Sequence, residues 1–192
     1  VFLDRDGTIN VEKAYLHRFE DFQFIPGVPA AIACLRAAGF LVVVMTNQSG
    51  VARGYYDLSA VETLHRQVDE ELARVGTAVD GWYLCPHHPS VGEGENGIPC
   101  SCRKPLPGML LEAAADLGID LTGSFMVGDK MADVDAALAA GCTPILVRTG
   151  YGVDEEKHIP QGVTVVDDLP AAADLILVMM GKTTALRGEA GQ

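Results

Sequence analysis

Short apolar runs alternate along this chain with longer amphipathic stretches. Val1 to Leu3 is apolar and stops at an acid, which predicts a buried strand end. Val28 to Ala38 reads as a helix, with Pro29 suited to its first turn and Gly39 to its end. Phe40 to Met45 is continuously apolar, as a strand buried on both faces requires, and it closes on Thr46-Asn47-Gln48-Ser49-Gly50. Ser59-Ala60-Val61-Glu62 reads as a capping box opening a helix to about Val75. Gly81 to Leu84 predicts a third strand, leading into a loop rich in Cys and His. Pro107 opens a helix that ends near Gly118. Ser124 to Val127 is a fourth strand, followed by Gly128-Asp129 and a helix to about Ala140. Pro144 to Val147 is a fifth strand. Val163 to Val166 and a helix over Pro170 to Met179 complete the pattern.

Strands alternating with helices predict an α/β, Rossmann-like parallel sheet with helices on both faces. Ligands of such sheets lie beyond the carboxyl ends of the strands. Asp4, Thr46, Cys85 and Asp129 each fall at a predicted strand end. No repeat or linker divides the chain, so residues 1–180 are expected to form a single domain. A zinc-binding loop is expected at 85–102 and a flexible tail at 181–192. Gly181-Lys182-Thr183 matches the end of a P-loop, but Ile176 stands where that motif needs glycine.

Composition narrows the function. The 192 residues are 48% hydrophobic, enough for a proper core. No apolar run approaches the roughly 18 residues of a membrane span. The charged Asp4-Arg5-Asp6 interrupts the N-terminus at once, so no leader is expected. A formal charge of −12 suits neither nucleic acid nor anionic membranes, though a local basic pocket can still accept an anion. Five Cys, an odd count, argue against a disulfide framework and for a reducing cytoplasm. The expected partner is a small molecule, and the expected state a monomer.

Asp4 and Asp6 sit two apart, so on an extended segment both carboxylates share a face. Asp4 can attack phosphorus as a nucleophile, and Asp6 can act as general acid and then base. Asp133, one helical turn beyond Asp129, can face the same site. Clustered acids need a cation, and Mg²⁺ suits oxygen ligands. Thr46 and Lys104 can neutralise phosphoryl oxygens. Each residue alone has a plainer reading, because an Asp after a strand is often a turn or cap.

Cys85-Pro86-His87-His88-Pro89 precedes Cys100-Ser101-Cys102. Cys85, His87, Cys100 and Cys102 can close a tetrahedral Zn²⁺ site, with His88 the alternative to His87. Four protein ligands leave no open position, so such a zinc is structural. The site would fix Arg103-Lys104, which follow Cys102 directly. Cys34 and Cys142 read as small core residues.

In order, Val-Phe-Leu-Asp-Arg-Asp-Gly-Thr, Val-Val-Met-Thr-Asn-Gln, Arg-Lys-Pro and Met-Val-Gly-Asp-Lys-Met-Ala-Asp resemble the four motifs of the haloacid dehalogenase (HAD) superfamily. The resemblance implies a phosphatase with Asp4 as nucleophile and Asp6 as acid/base. It implies Thr46 and Lys104 on the phosphoryl group, and Mg²⁺ on Asp4, Asp129 and the Asp6 carbonyl. No insertion is long enough for a large cap domain. Thr-Asn-Gln-Ser-Gly-Val-Ala-Arg-Gly, Cys-Pro-His-His-Pro and Cys-Ser-Cys-Arg-Lys-Pro-Leu-Pro-Gly-Met-Leu further resemble the D-glycero-D-manno-heptose-1,7-bisphosphate 7-phosphatase family, from Val1 to about Gly150. That likeness implies hydrolysis of the 7-phosphate on the route to nucleotide-activated heptose, used in lipopolysaccharide. It places Arg5, Glu12, Lys13, Ala14, Tyr15, Thr46, Asn47, Gln48, Ser49, Arg103 and Lys104 at the substrate. Glu12 and Lys13-Ala14 depart from the family's frequent Asp and His-Gly, which leaves anomer preference open. Histidinol-phosphate phosphatase is similar in its Asp-x-Asp motif and zinc loop. A zinc-stabilised binding protein without catalysis is the reading from another class.

Overall fold

In the computed structural model, residues 1–91 and 99–182 are described. Residues 92–98, inside the expected zinc loop, and 183–192, most of the expected tail, lie outside them. Among the described residues, six parallel strands form one sheet in the order β3-β2-β1-β4-β5-β6. They are β1 (Phe2–Leu3), β2 (Val43–Asn47), β3 (Gly81–Cys85), β4 (Phe125–Gly128), β5 (Thr143–Val147) and β6 (Thr164–Val166). The strand order reverses between β1 and β4, where a crevice opens at the carboxyl ends.

The apolar runs feed two cores because strand side chains alternate faces. Leu3, Val42, Val44, Val127, Ile145 and Val147 point to one side. There they meet α1 (Val28–Ala37), α3 (Leu58–Arg74) and α7 (Leu169–Met179). Phe2, Val43, Met45 and Met126 point to the other side, against α4 (Gly108–Leu117) and α5 (Met131–Ala140). Two four-residue helices, α2 (Ser49–Ala52) and α6 (Gly152–Glu155), follow β2 and β5. No described helix is long and apolar enough to cross a membrane.

Two local expectations are corrected. β2 starts at Val43, not Phe40, and runs on through Thr46 and Asn47, which pair with Leu84 and Cys85. Hydrogen-bond partners on β3 define the strand there, and polarity does not end it. The N-cap of α3 is Asp57, not Ser59: the Asp57 carboxylate accepts from the Ala60 amide at 2.9 Å. Ser59 instead donates its hydroxyl to that carboxylate. A charged acceptor satisfies the first-turn amides better than a hydroxyl two residues further in.

Candidate active site

The turn after β1 sets the first motif. The Asp4 amide donates to Val127 O at 2.9 Å, which fixes Asp4 at the switch point. The Arg5 carbonyl then accepts from the amides of Ile9 and Asn10, so the chain folds back within one turn. Gly7 makes this possible with φ at +86°. A Cβ at Gly7 would lie 2.2 Å from Asp129 Oδ2, so glycine also admits the acid arriving from β4.

Lys104 is buried at the centre. Its Nζ donates to Asp4 Oδ1 at 2.8 Å and to Met45 O at 2.7 Å, and it pairs with Asp133 Oδ1 at 2.6 Å. Burial opposes the charge, but Asp133 and Asp4 outweigh it and hold the Lys104 pKa above the usual value. The backbone of Lys104 is clamped by Asn47, whose amide accepts from Lys104 N at 3.1 Å and donates to Lys104 O at 3.0 Å.

Asp4, Asp129 and Asp133 bring carboxylate oxygens within 4.8 Å of one another. Burial first, and Asp4 second, push Asp129 up to about 8; the same two causes push Asp133 up to about 6. Asp129 Oδ2 accepts from the Tyr151 amide, while its buried Oδ1 has no hydrogen-bond partner. A hard cation fits this oxygen set and relieves the repulsion. Both oxygens of Asp133 already hold partners, Lys104 on one and the Lys130 amide on the other. Asp133 therefore braces Lys104, and Asp4 and Asp129 carry the free oxygens.

The Asp6 carboxylate lies outside that cluster. It accepts from Arg5 at 2.8 Å, from Asn10 at 3.0 Å and from Gln48 at 3.1 Å. Burial would raise its pKa, but the Arg5 charge and these hydrogen bonds reverse the effect and lower it. Gln48 Nε2 also donates to Thr46 Oγ1 at 2.8 Å, which leaves the Thr46 hydroxyl proton free to donate. Tyr56 donates to Gln48 Oε1 at 2.9 Å and so fixes which way that amide points.

The crevice has two compartments. A small inner cavity of about 50 Å³ is lined by Asp4, Thr46, Lys104 and Asp133. An outer cleft of about 280 Å³ is lined by Glu12, Ala14, Tyr15, Gln48, Ser49 and Tyr151, among others. Asp6, Asn47 and Lys130 border both. Lys130 Nζ lies 3.1 Å from Glu12 and 3.8 Å from Asp129. Lys130 is not among the sequence candidates, although it directly follows Asp129 in the Gly-Asp-Lys motif.

Three expected substrate residues line neither compartment. Arg5 is fully buried and spent on Asp6 and Leu16 O, because a buried guanidinium must find acceptors where it lies. Lys13 Nζ donates to Asp21 O and lines a neighbouring groove. Arg103 donates to His87 O at 3.1 Å and borders neither compartment.

Beyond β3, Cys85, His87, Cys100 and Cys102 converge. Cys102 Sγ lies 2.9 Å from Cys85 Sγ, 3.4 Å from Cys100 Sγ and 3.3 Å from His87 Nδ1. Three sulfurs and one imidazole at these separations suit a closed zinc site. His87 takes the fourth corner, while His88 accepts from the Ser90 amide.

The sheet order, Asp4 and Asp6 after β1, Lys104 beside them and Asp129 after β4 define a HAD-type phosphatase. A family model described as HAD-hydrolase-like matches residues 101–172. The chain belongs to the D-glycero-β-D-manno-heptose-1,7-bisphosphate 7-phosphatase family. It is 48% identical over 175 residues to the protein of that name from Photorhabdus laumondii, covering 90% of this chain and 93% of that one. It is 50% identical over 159 residues to the one from Escherichia coli K12, covering 82% and 83%. The solved D,D-heptose 1,7-bisphosphate phosphatase of B. bronchiseptica, complexed with magnesium and phosphate, superposes with a TM-score of 0.84. That pair is 39% identical, covering 93% of this chain and 98% of that chain. The corresponding enzyme of Burkholderia thailandensis gives 0.68 at 33% identity, covering 94% and 97%.

Proposed function

We propose that this chain hydrolyses the 7-phosphate of D-glycero-D-manno-heptose 1,7-bisphosphate through an aspartyl phosphate on Asp4. The observation that carries the reading is the two-compartment crevice. The inner cavity holds Asp4, Thr46 and Lys104 and suits a phosphoryl group. The outer cleft suits a polar, phosphorylated leaving group. Asp6 stands between them, where the bridging ester oxygen must lie.

The steps follow from those positions. Asp4 forms a bond to phosphorus as the C7 oxygen leaves with its electron pair. Asp6 gives that oxygen a proton. Asp6 is ionised in the resting site and takes up that proton from solvent as the substrate binds, because the negative charge of the arriving phosphoryl group raises its affinity for a proton. Asp6 then takes a proton from water, whose oxygen attacks phosphorus and frees Asp4 and inorganic phosphate. Lys104 and Thr46 hold the phosphoryl oxygens throughout. Mg²⁺ held by Asp4, Asp129 and the Asp6 carbonyl would neutralise the acids and the phosphoryl charge. Zn²⁺ on Cys85, His87, Cys100 and Cys102 would be structural. Glu12, Ala14, Tyr15, Asn47, Gln48, Ser49 and Lys130 form the walls for the sugar. Residues 1–180 act as one domain, a cytoplasmic monomer with a small-molecule substrate.

The test is turnover of both heptose 1,7-bisphosphate anomers beside histidinol phosphate. Wild type should release phosphate from a heptose anomer with the higher kcat/KM, and Asp4→Asn should lose at least about 10³-fold. Preference for histidinol phosphate, or an active Asp4→Asn, overturns the reading.

A further inference from the structure

Asp6 is gripped at two points by Arg5, a fully buried side chain that borders neither compartment of the crevice. Arg5 Nε and Nη2 both reach the Asp6 carboxylate, at 3.2 and 2.8 Å, and Nη2 also donates to Leu16 O. The remaining nitrogen, Nη1, lies 3.2 Å from His65 Nε2. A guanidinium has no lone pair to offer and stays protonated in proteins, so it is the donor here. His65 Nε2 must accept, and the ring proton therefore sits on Nδ1.

His65 is itself built into place. Its ring stacks on Trp82 of β3 at 4.1 Å between centroids and 16° between planes. The Trp82 indole N–H donates to Asp69 Oδ1 at 2.9 Å. Asp69 lies one turn after His65 on α3, so a single helix face pins the indole at one end and stacks on it at the other. His65 is 4% exposed, so its ring has little room to swing away from Arg5. Burial, then the Arg5 charge, lower the His65 pKa to about 3, which keeps the ring a neutral acceptor.

We infer that His65 is a positioning residue for the general acid, acting through Arg5 on Asp6. It fixes the third edge of the guanidinium fork, and the fork fixes the carboxylate. The inference rests on the assignment of Asp6 as acid/base above. Without the acceptor, a buried Arg5 donor is left unpaired. Arg5 then turns to find another partner, and the bidentate grip on Asp6 loosens.

A misplaced acid harms substrates in proportion to their need for protonation. An alkyl phosphate must expel a strongly basic alkoxide, which needs the proton, whereas p-nitrophenolate leaves without it. kcat/KM reports the first chemical step, before water attacks the aspartyl phosphate, and so isolates the acid role. His65→Phe keeps a flat ring on Trp82 and removes the acceptor. His65→Gln offers an amide oxygen near the Nε2 position. His65→Phe should lose about 10- to 100-fold in kcat/KM on a sugar phosphate and less than about 3-fold on p-nitrophenyl phosphate, within the usual size of general acid catalysis. His65→Gln should recover most of the difference. Equal losses on both substrates, or no loss on either, overturn the proposal, as does a Gln variant no better than Phe. The sugar phosphate is any alkyl ester that wild type turns over. Failure of the heptose assignment would therefore appear in the wild-type rates and leave the ratio between substrates decisive.

Discussion

Two buried carboxylates beside Asp4, those of Asp129 and Asp133, make this site sensitive to pH in a direction opposite to most acids. Burial, then the Asp4 charge, push Asp129 up to about 8 in the folded chain, far above an ordinary carboxylate. The folded protein thus keeps a proton that the unfolded chain sheds between about pH 4 and pH 8. Stability contributed by that proton is present at low pH and is lost as pH rises through this window. Asp133, pushed up to about 6, adds to the lower half of the same window. Metal-free protein should therefore show a melting temperature that falls from about pH 5 to pH 8. A loss of about 2 kcal/mol lowers Tm by about 4–8 °C in a chain of this size. Millimolar Mg²⁺ should abolish most of the fall, and Asp129→Asn should remove the part above about pH 6 without metal, leaving the part that Asp133 contributes. A Tm that rises with pH over this range in chelator would show that the acids do not repel as the geometry requires. Lys104→Met makes a related case. It strands Asp4 and Asp133 without their cation, at a cost of about 3–5 kcal/mol. Phosphate release should fall at least about 10²-fold. Denaturant unfolding and phosphate assay separate the two effects. The sequence exposed these residues unevenly. Asp4, Asp6 and Asp129 followed apolar runs and could be read directly. Arg5 could not, since nothing in Asp-Arg-Asp tells a substrate contact from a buried brace. His65 did leave a trace: Val61, Leu64, His65, Val68 and Leu72 form the buried stripe of α3, so a polar ring stood at a core position.

Elements were legible where they were long or carried glycine and proline stops, as α4 and its αL cap Gly118 show. α2 and α6, four residues each, are too short to display a period, and β2 kept hydrogen bonding after its apolar run ended. The cap of α3 offers a clean check on the corrected boundary. Asp57→Ala should cost about 1 kcal/mol, and Ser59→Ala less than about 0.5 kcal/mol, by urea unfolding. The reverse order would restore Ser59 as the cap. The zinc loop links elements more directly to catalysis. Cys102 precedes Arg103-Lys104, and Asn47 at the end of β2 clamps the Lys104 backbone from the other side. Cys100→Ser should lower zinc content and raise KM, because Lys104 then hangs from one clamp. Zinc assay beside steady-state kinetics checks it, and an unchanged KM in zinc-free protein would separate the loop from the site.

At the scale of the whole molecule, charge sets a problem that the site must solve. The chain carries −12, and its proposed substrate carries two phosphates. At a distance the enzyme repels what it must bind. Within the crevice the balance is different: Lys104 is buried against Asp4, and Lys130 stands at the junction of the two compartments. These fields have different ranges. The net charge acts through water and is screened once the Debye length shrinks to about 8 Å at 0.15 M salt. Contacts inside the inner cavity are short and largely sheltered from salt. Raising NaCl from about 0.01 M to 0.15 M at fixed free Mg²⁺ should therefore raise kcat/KM, by about twofold, while kcat stays nearly constant. A positively focusing mouth would give the opposite sign, a steep fall in kcat/KM with salt. A neutral sugar such as a heptose without phosphate, used as a competitive inhibitor, should show no salt dependence. The sign of the slope thus reports whether capture is governed by the acidic body of the protein or by the two lysines in its crevice.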